Sequence, residues 1–196
     1  MVSDIAAQID KIYTVDEYFE LEKHSDIRHE FVNGKLIPMP GESVIANRIA
    51  DNCGFSLRIQ LNKKGYDTVR HDVRTIIKKG KKYRYPDVSV TKRSEITETH
   101  AITNPELLIE VSSDQSAKTD NETKLNEYIT LPSVQYYLII SQYEMLVQLY
   151  KRDDQGWRFE VFSELSDEIK LSNLNCSLFL SGIYENVNFT EIKKEE

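Results

Sequence analysis

The chain has 196 residues, 40% hydrophobic and 29% charged, an ordinary globular composition that argues against a disordered or fibrous protein. No apolar run approaches the roughly 18 residues that a membrane span requires. With 25 basic against 32 acidic residues the net charge is −7, which argues mildly against a polyanionic partner, although the distribution of charge matters more than its sum.

In chain order, Thr14-Val15-Asp16-Glu17 has the spacing of a capping box and predicts a helix running to about Lys23. Arg28 to Pro40 reads as a hairpin around Asn33-Gly34, the favoured two-residue turn. Glu42 to about Lys63 is the longest predicted helix, with Ile45, Ile49, Cys53, Leu57 and Leu61 recurring every fourth residue and Gly65 as its stop. Strand-like runs follow at Tyr66–Arg70, Val73–Ile77 and Tyr83–Thr91. Between the last two lies a Lys/Gly-rich turn, and Lys92 to Asn104 is a polar connection. Pro105 introduces a strand through Leu107–Val111, and a second capping box at Thr119-Asp120-Asn121-Glu122 opens a helix that Pro132 ends. Val134–Ile140 is a buried strand. Met145–Arg152 and Trp157–Phe162 form a hairpin, and Ile169–Val187 supplies a strand with a final helix or turn. This order predicts one α/β domain over residues 1–196, a mixed sheet flanked by helices and not the regular alternation of a doubly wound fold.

Met1 to Asp10 lacks a signal-peptide pattern, and Cys53 and Cys176 are far apart in apolar surroundings. Two buried free thiols and a cytoplasmic location are the expectation. The four histidines show no zinc spacing, and neither a Gly-rich phosphate loop nor a Gly-x-Ser-x-Gly elbow occurs. Arg70, Arg74, Lys78, Lys79, Lys81, Lys82 and Arg84 crowd one stretch. That stretch is either a solvated turn around Gly80 or a phosphate-binding rim.

Chemistry concentrates at Asp87, Glu110 and Lys124. Side chains alternate along a strand, so Asp87 parts from Val88 and Val90, and Glu110 parts from Leu107, Ile109 and Val111. Each strand thereby offers one carboxylate away from its main apolar set. Two carboxylates suffice for a hard divalent ion that keeps several waters, and the Val111 carbonyl could add a third oxygen. Lys124 borders the buried stripe Leu125, Tyr128 and Ile129 of its helix, within reach of an attacking water or a phosphoryl oxygen.

Tyr13–Tyr18, Arg28–Gly34, Tyr85-Pro86-Asp87-Val88, Leu108–Ser113, Lys124 with Tyr128, Pro132–Ile140 and Ile183-Tyr184 together resemble the PD-(D/E)XK nuclease superfamily, and within it the Uma-type branch of restriction-endonuclease-like proteins. The resemblance implies a restriction endonuclease-like core, Mg²⁺ (or Mn²⁺) dependence, DNA hydrolysis and a homodimer able to cut both strands. Asp87 and Glu110 would then be metal ligands. Lys124 would stand in for the strand lysine whose place Ser112 occupies, and Glu30 would be the early acid supplementing the site, with Glu42 its rival. Relatives carry His at the position of Asn47 and Asp at that of Ser141. The acidic net charge and missing strand lysine leave an alternative open, a nuclease-fold module that binds nucleic acid or a protein without cutting.

Overall fold

The computed structural model describes residues 11–39, 41–112 and 117–189, and the side chains of all of these but 117–121. Ser113 and the side chains of Thr119, Asp120 and Asn121 therefore lie outside the described residues.

Helix α1 (Val15–His24) begins where the capping box demands: Glu17 N–H donates to Thr14 Oγ1 (3.2 Å) and Thr14 N–H to Glu17 Oε2 (2.8 Å). Strands β1 (His29–Val32) and β2 (Lys35–Pro38) flank Asn33 and Gly34, both at positive φ (50° and 89°), the geometry of a tight primed turn. Helix α2 (Val44–Leu61) is followed by a single 3₁₀ turn closed by Gly65 at φ 84°. Then come β3 (Tyr66–Arg70), β4 (Arg74–Lys78), β5 (Lys82–Arg84), β6 (Val88–Lys92), β7 (Ala101–Ile102) and β8 (Pro105–Ser112). Helix α3 (Ala117–Tyr128) starts two residues ahead of the predicted cap. Strands β9 (Tyr136–Ser141), β10 (Val147–Asp153), β11 (Gly156–Phe162), β12 (Glu168–Leu171) and β13 (Cys176–Phe179) lead to the short helix α4 (Leu180–Ile183).

The fold is mixed α/β, but its strands divide among three sheets where the sequence suggested one. A six-stranded sheet has the order β11-β10-β9-β8-β6-β3, with β8 and β9 parallel and every other neighbour antiparallel. A five-stranded sheet has the order β2-β1-β5-β4-β7, and β12 pairs with β13 alone. The division comes from Pro86. The run Tyr83–Thr91 reads as one strand, yet a proline has no N–H to give a ladder. The chain leaves the five-stranded sheet after Arg84 and joins the six-stranded one at Val88. Asp87 lies in the passage between them.

The main core forms where α2 covers the six-stranded sheet. Ile49, Leu57 and Leu61 meet Val88, Leu107, Ile109 and Leu138, all fully buried. Each such aliphatic side chain contributes about 1.5–3 kcal/mol. The opposite face of this sheet is covered as well: Leu108 and Tyr137 pack with Tyr128 of α3. A third cluster, Tyr18, Phe31 and Tyr83, joins α1 to the five-stranded sheet. Among the described residues no helix is long and apolar enough to cross a membrane. Both cysteines are free, and burial pushes the thiol of Cys53 up to about 12 and that of Cys176 to about 11.

Candidate metal centre

Strand pairing sets the two acids side by side. Val88 stands opposite Ile109 in the antiparallel β6–β8 ladder, so one step further Asp87 stands opposite Glu110. Beyond that last ladder pair the Val111 N–H is free to donate to Asp87 Oδ2, at 2.6 Å. The carbonyl of a strand residue points to the same edge as its N–H, so the Val111 oxygen is directed toward Asp87 too.

Glu110 is buried at the end of this strand, held from two sides by α3. Tyr128 Oη donates to its Oε1 (2.7 Å) and Lys124 Nζ to its Oε2 (3.1 Å). These residues sit four apart, one helical turn, so both reach the same carboxylate. Lys124 lies also 3.6 Å from Glu30 Oε1, an oxygen with no hydrogen bond among the described residues. The other oxygen of Glu30 accepts from Arg84 Nη1 at 2.5 Å. Arg84, 2% exposed, turns its remaining nitrogens to Glu127 at 2.8 and 3.2 Å, and Lys82 binds the same carboxylate at 2.8 Å. An unbroken ionic chain thus runs from Glu110 through Lys124, Glu30, Arg84 and Glu127 to Lys82, crossing from one sheet to the other.

Glu42, in the approach to α2, comes up beside Asp87 from the other side. One ligand atom each from Glu42, His71 and Asp87 lies within 4.8 Å of the others. Glu42, Asn47 and His71 line a cleft of about 530 Å³ together with Arg28 and Asp72. Sequence spacing therefore brings Asp87, Glu110 and Lys124 together as expected. Glu30 is placed with Lys124 and Arg84, and Glu42 with Asp87. Ser141 instead caps the turn after β9, its hydroxyl accepting from Tyr143 N–H (3.2 Å) and Glu144 N–H (3.3 Å).

The electrostatics are unbalanced. Burial first, then the neighbouring Glu110, push the Asp87 carboxyl well above its ordinary range. Burial likewise raises Glu110, with the Lys124 charge opposing it. Glu42 is held low, chiefly by its bond to His71. Five acidic side chains (Glu30, Glu42, Asp87, Glu110, Glu127) face three basic ones (Lys82, Arg84, Lys124), and a divalent ion would favour the ionised forms of the two raised acids. The donor set of carboxylate oxygens and one carbonyl fits such an ion.

The seven residues of the basic stretch do not form one patch. Arg84 is internal, Arg70 pairs with Asp51, and Arg74 lies over the Phe19 ring at 4.7 Å. Lys82 is bound to Glu127, leaving Lys78 to Lys81 as the solvated turn around Gly80.

Comparison with known proteins agrees with this architecture. The sequence pattern of the Uma2 family, described as "Putative restriction endonuclease", matches residues 15–180. The chain belongs to the Uma2 family. Within reach of that assignment are two uncharacterized Synechocystis proteins. One, sll1609, is 32% identical over 166 residues, covering 83% of this chain and 94% of its own length. The other, slr1290, is 27% identical over 175 residues, covering 89% and 92%. A crystal structure of a "putative nuclease belonging to DUF820" from Anabaena variabilis superposes with a TM-score of 0.70 at 20% identity. It covers 87% of this chain and 97% of the other, and so shares the Uma2 chain's fold. The matched Uma2 region contains every residue of the centre described above.

Proposed function

We propose that this protein is a metal-dependent endonuclease that hydrolyses DNA phosphodiester bonds. The observation that carries the reading is the juxtaposition of acids with raised proton affinity, Asp87 and Glu110, with a half-buried lysine 3.1 Å from one of them. Perturbed carboxyls of this kind cluster at working sites.

Asp87, Glu110, the Val111 carbonyl and Glu42 would hold the ion, Mg²⁺ or a relative. When bound, such an ion lowers the pKa of a coordinated water and neutralises charge on the phosphate. Lys124 is aimed at the same carboxylate and can donate to the attacking water or to a phosphoryl oxygen. Tyr128 fixes the rotamer of Glu110. Arg84 holds Glu30 so that Lys124 is drawn toward a defined position between two acids, and Glu30 acts as a positioning residue rather than a ligand. Substrate would enter by the cleft at Glu42 and Asn47. Cutting a duplex needs two such centres, for which a homodimer is the simplest supply, and free thiols suit the cytoplasm.

Plasmid nicking with Mg²⁺ or Mn²⁺ tests this. Cleavage should vanish in Asp87→Ala and in Glu110→Ala, and cleavage unaffected by both would sink the assignment. A second reading, a module that binds a protein partner without cutting, is favoured by Asp26, Glu42 and Asp72 in the cleft wall, which oppose entry of a polyanion. No cleavage of DNA or RNA together with no Mg²⁺ or Mn²⁺ binding by calorimetry would establish that reading instead.

A further inference from the structure

Strand β11 is one edge of the six-stranded sheet and, at seven residues, the longest edge strand among those described. Its neighbour shows which way its backbone groups point. Arg152 N–H donates to the Gln135 carbonyl (2.8 Å) and the Leu146 carbonyl accepts from Ser141 N–H (3.0 Å), so even-numbered residues along β10 turn toward β9. The odd-numbered ones, Leu149 and Lys151, turn toward β11 and pair with Glu160 and Arg158. Trp157, Phe159 and Val161 are left with N–H and C=O directed off the sheet, and among the described residues these groups meet no partner. Natural edges are blunted by shortness, proline or repelling charge. β2 has four residues and ends in Pro38, and β7 has two. β11 carries no proline, and its two charges, Arg158 and Glu160, are of opposite sign on either side of Phe159. Phe159 and Val161 are each 52% exposed, on the face where an aromatic row crosses the sheet. Tyr137, Tyr150 and Phe159 stand opposite one another with ring centroids 6.2 and 4.9 Å apart, and the row stops at the edge.

We propose that β11 is a self-association surface, pairing antiparallel with β11 of a second copy of this chain about a two-fold axis at Phe159. In that register Phe159 meets the partner's Phe159, Trp157 meets the partner's Val161, and Arg158 meets the partner's Glu160. All the outward-facing residues then fall in hydrogen-bonded pairs, so each free N–H and C=O of the edge finds a partner. Arg158 falls in the intervening non-bonded pair, where opposed side chains are closest, and meets an opposite charge there, twice by symmetry. Moving the axis by one residue, to Arg158 or to Glu160, sets like charges face to face, which disfavours both neighbouring registers. Within its own chain Arg158 pairs with Asp153 and Glu160 with Lys151, yet their side chains stay 60% and 38% exposed and can be shared. The aromatic row continues from Phe159 into its counterpart. This surface is separated from β8 by β9 and β10, so the inference does not depend on the metal centre.

Sedimentation equilibrium tests it on wild type, Phe159→Lys, Arg158→Glu, Glu160→Arg and the double variant Arg158→Glu/Glu160→Arg. Circular dichroism and thermal melting verify the fold of each. Wild type should sediment as a dimer of the 22.8 kDa chain. Phe159→Lys brings two like charges together on the axis and should leave monomer. Each single charge variant opposes like charges twice and should weaken dimerisation by about tenfold or more. The double variant restores opposite charges face to face and should return to within about threefold of wild type. Side chains that merely stabilise their own chain would not give that recovery. A wild type that stays monomeric throughout the concentration range, a dimer that survives Phe159→Lys, or a double variant as weak as the singles would overturn the proposal. None of these outcomes bears on the metal centre.

Discussion

Arg84→Met probes the ionic chain where it is deepest. The guanidinium is 2% exposed and donates three hydrogen bonds to two carboxylates, at 2.5, 2.8 and 3.2 Å. Methionine preserves most of the volume, so a cavity adds little to the cost. Two buried acids lose their principal partner: among the described residues Glu30 retains only Lys124 at 3.6 Å and Glu127 only Lys82. Breaking a buried pair from one side costs about 3–5 kcal/mol, against about 5–15 kcal/mol for the stability of a whole domain. In a chain of this size that corresponds to a fall in melting temperature of roughly 6–20 °C. Urea denaturation should show the same loss with an unchanged m-value.

The acid limb of the stability curve supplies an independent check. Burial alone would raise Glu127, but its bonds to Arg84 and Lys82 prevail and hold it below the ordinary value of 4.5. A group depressed in the folded state stabilises above its unfolded pKa and loses that contribution as pH falls through the folded value. Without Arg84, burial dominates and the sign reverses, so acid should narrow the gap between variant and wild type. A loss under 1 kcal/mol, the level of an exposed ion pair, or a gap independent of pH from 7 to 4, would refute the buried-network argument.

Three further outcomes follow from the same geometry. A divalent ion at 100 times its Kd should stabilise wild type by about 2.7 kcal/mol, roughly 5–10 °C, and Asp87→Asn should abolish the gain in a thermal-shift titration. Because Asp87 and Glu110 are raised, protons compete with the ion, and the gain should shrink as pH falls. Tyr128→Phe deletes the 2.7 Å donor to Glu110 and should lower kcat with KM little changed, at a stability cost of about 1.5–3 kcal/mol by denaturant titration. Gly34→Ala should destabilise by 1 kcal/mol or more, since φ is 89° and the new Cβ would meet Ile12 Cγ2 at 2.7 Å.

Local signals carried much of this architecture into the sequence. The Thr14–Glu17 box, the Asn33-Gly34 turn and the four-residue recurrence along α2 are short-range rules, and each element stands within about two residues of its expected place. Strand alternation and helical register likewise brought out Asp87, Glu110 and Lys124. The ionic chain was hidden for a physical reason. Arg84 and Glu127 are ordinary surface types, and only the tertiary meeting of β5 with α3 buries them. The seven basic residues look like one patch because sequence proximity says nothing about which face each takes. His71 was equally silent, since its partner Glu42 lies 29 positions away and metal spacing rules look only at neighbours. The handover at Pro86 was legible as a break in a ladder but not as a change of sheet.

That handover bears on the order in which the protein is made. Glu110 belongs to one sheet, Glu30 and Arg84 to the other, and Lys124, Tyr128 and Glu127 to a helix that follows all three in the chain. Glu30 and Arg84 are 54 positions apart, and Glu110 waits another 14 for its lysine. A chain emerging from the ribosome therefore holds Glu30, Asp87 and Glu110 before it holds Lys124 and Tyr128. Whatever chemistry this centre performs belongs to the finished molecule, and a truncated or half-folded copy carries none of it.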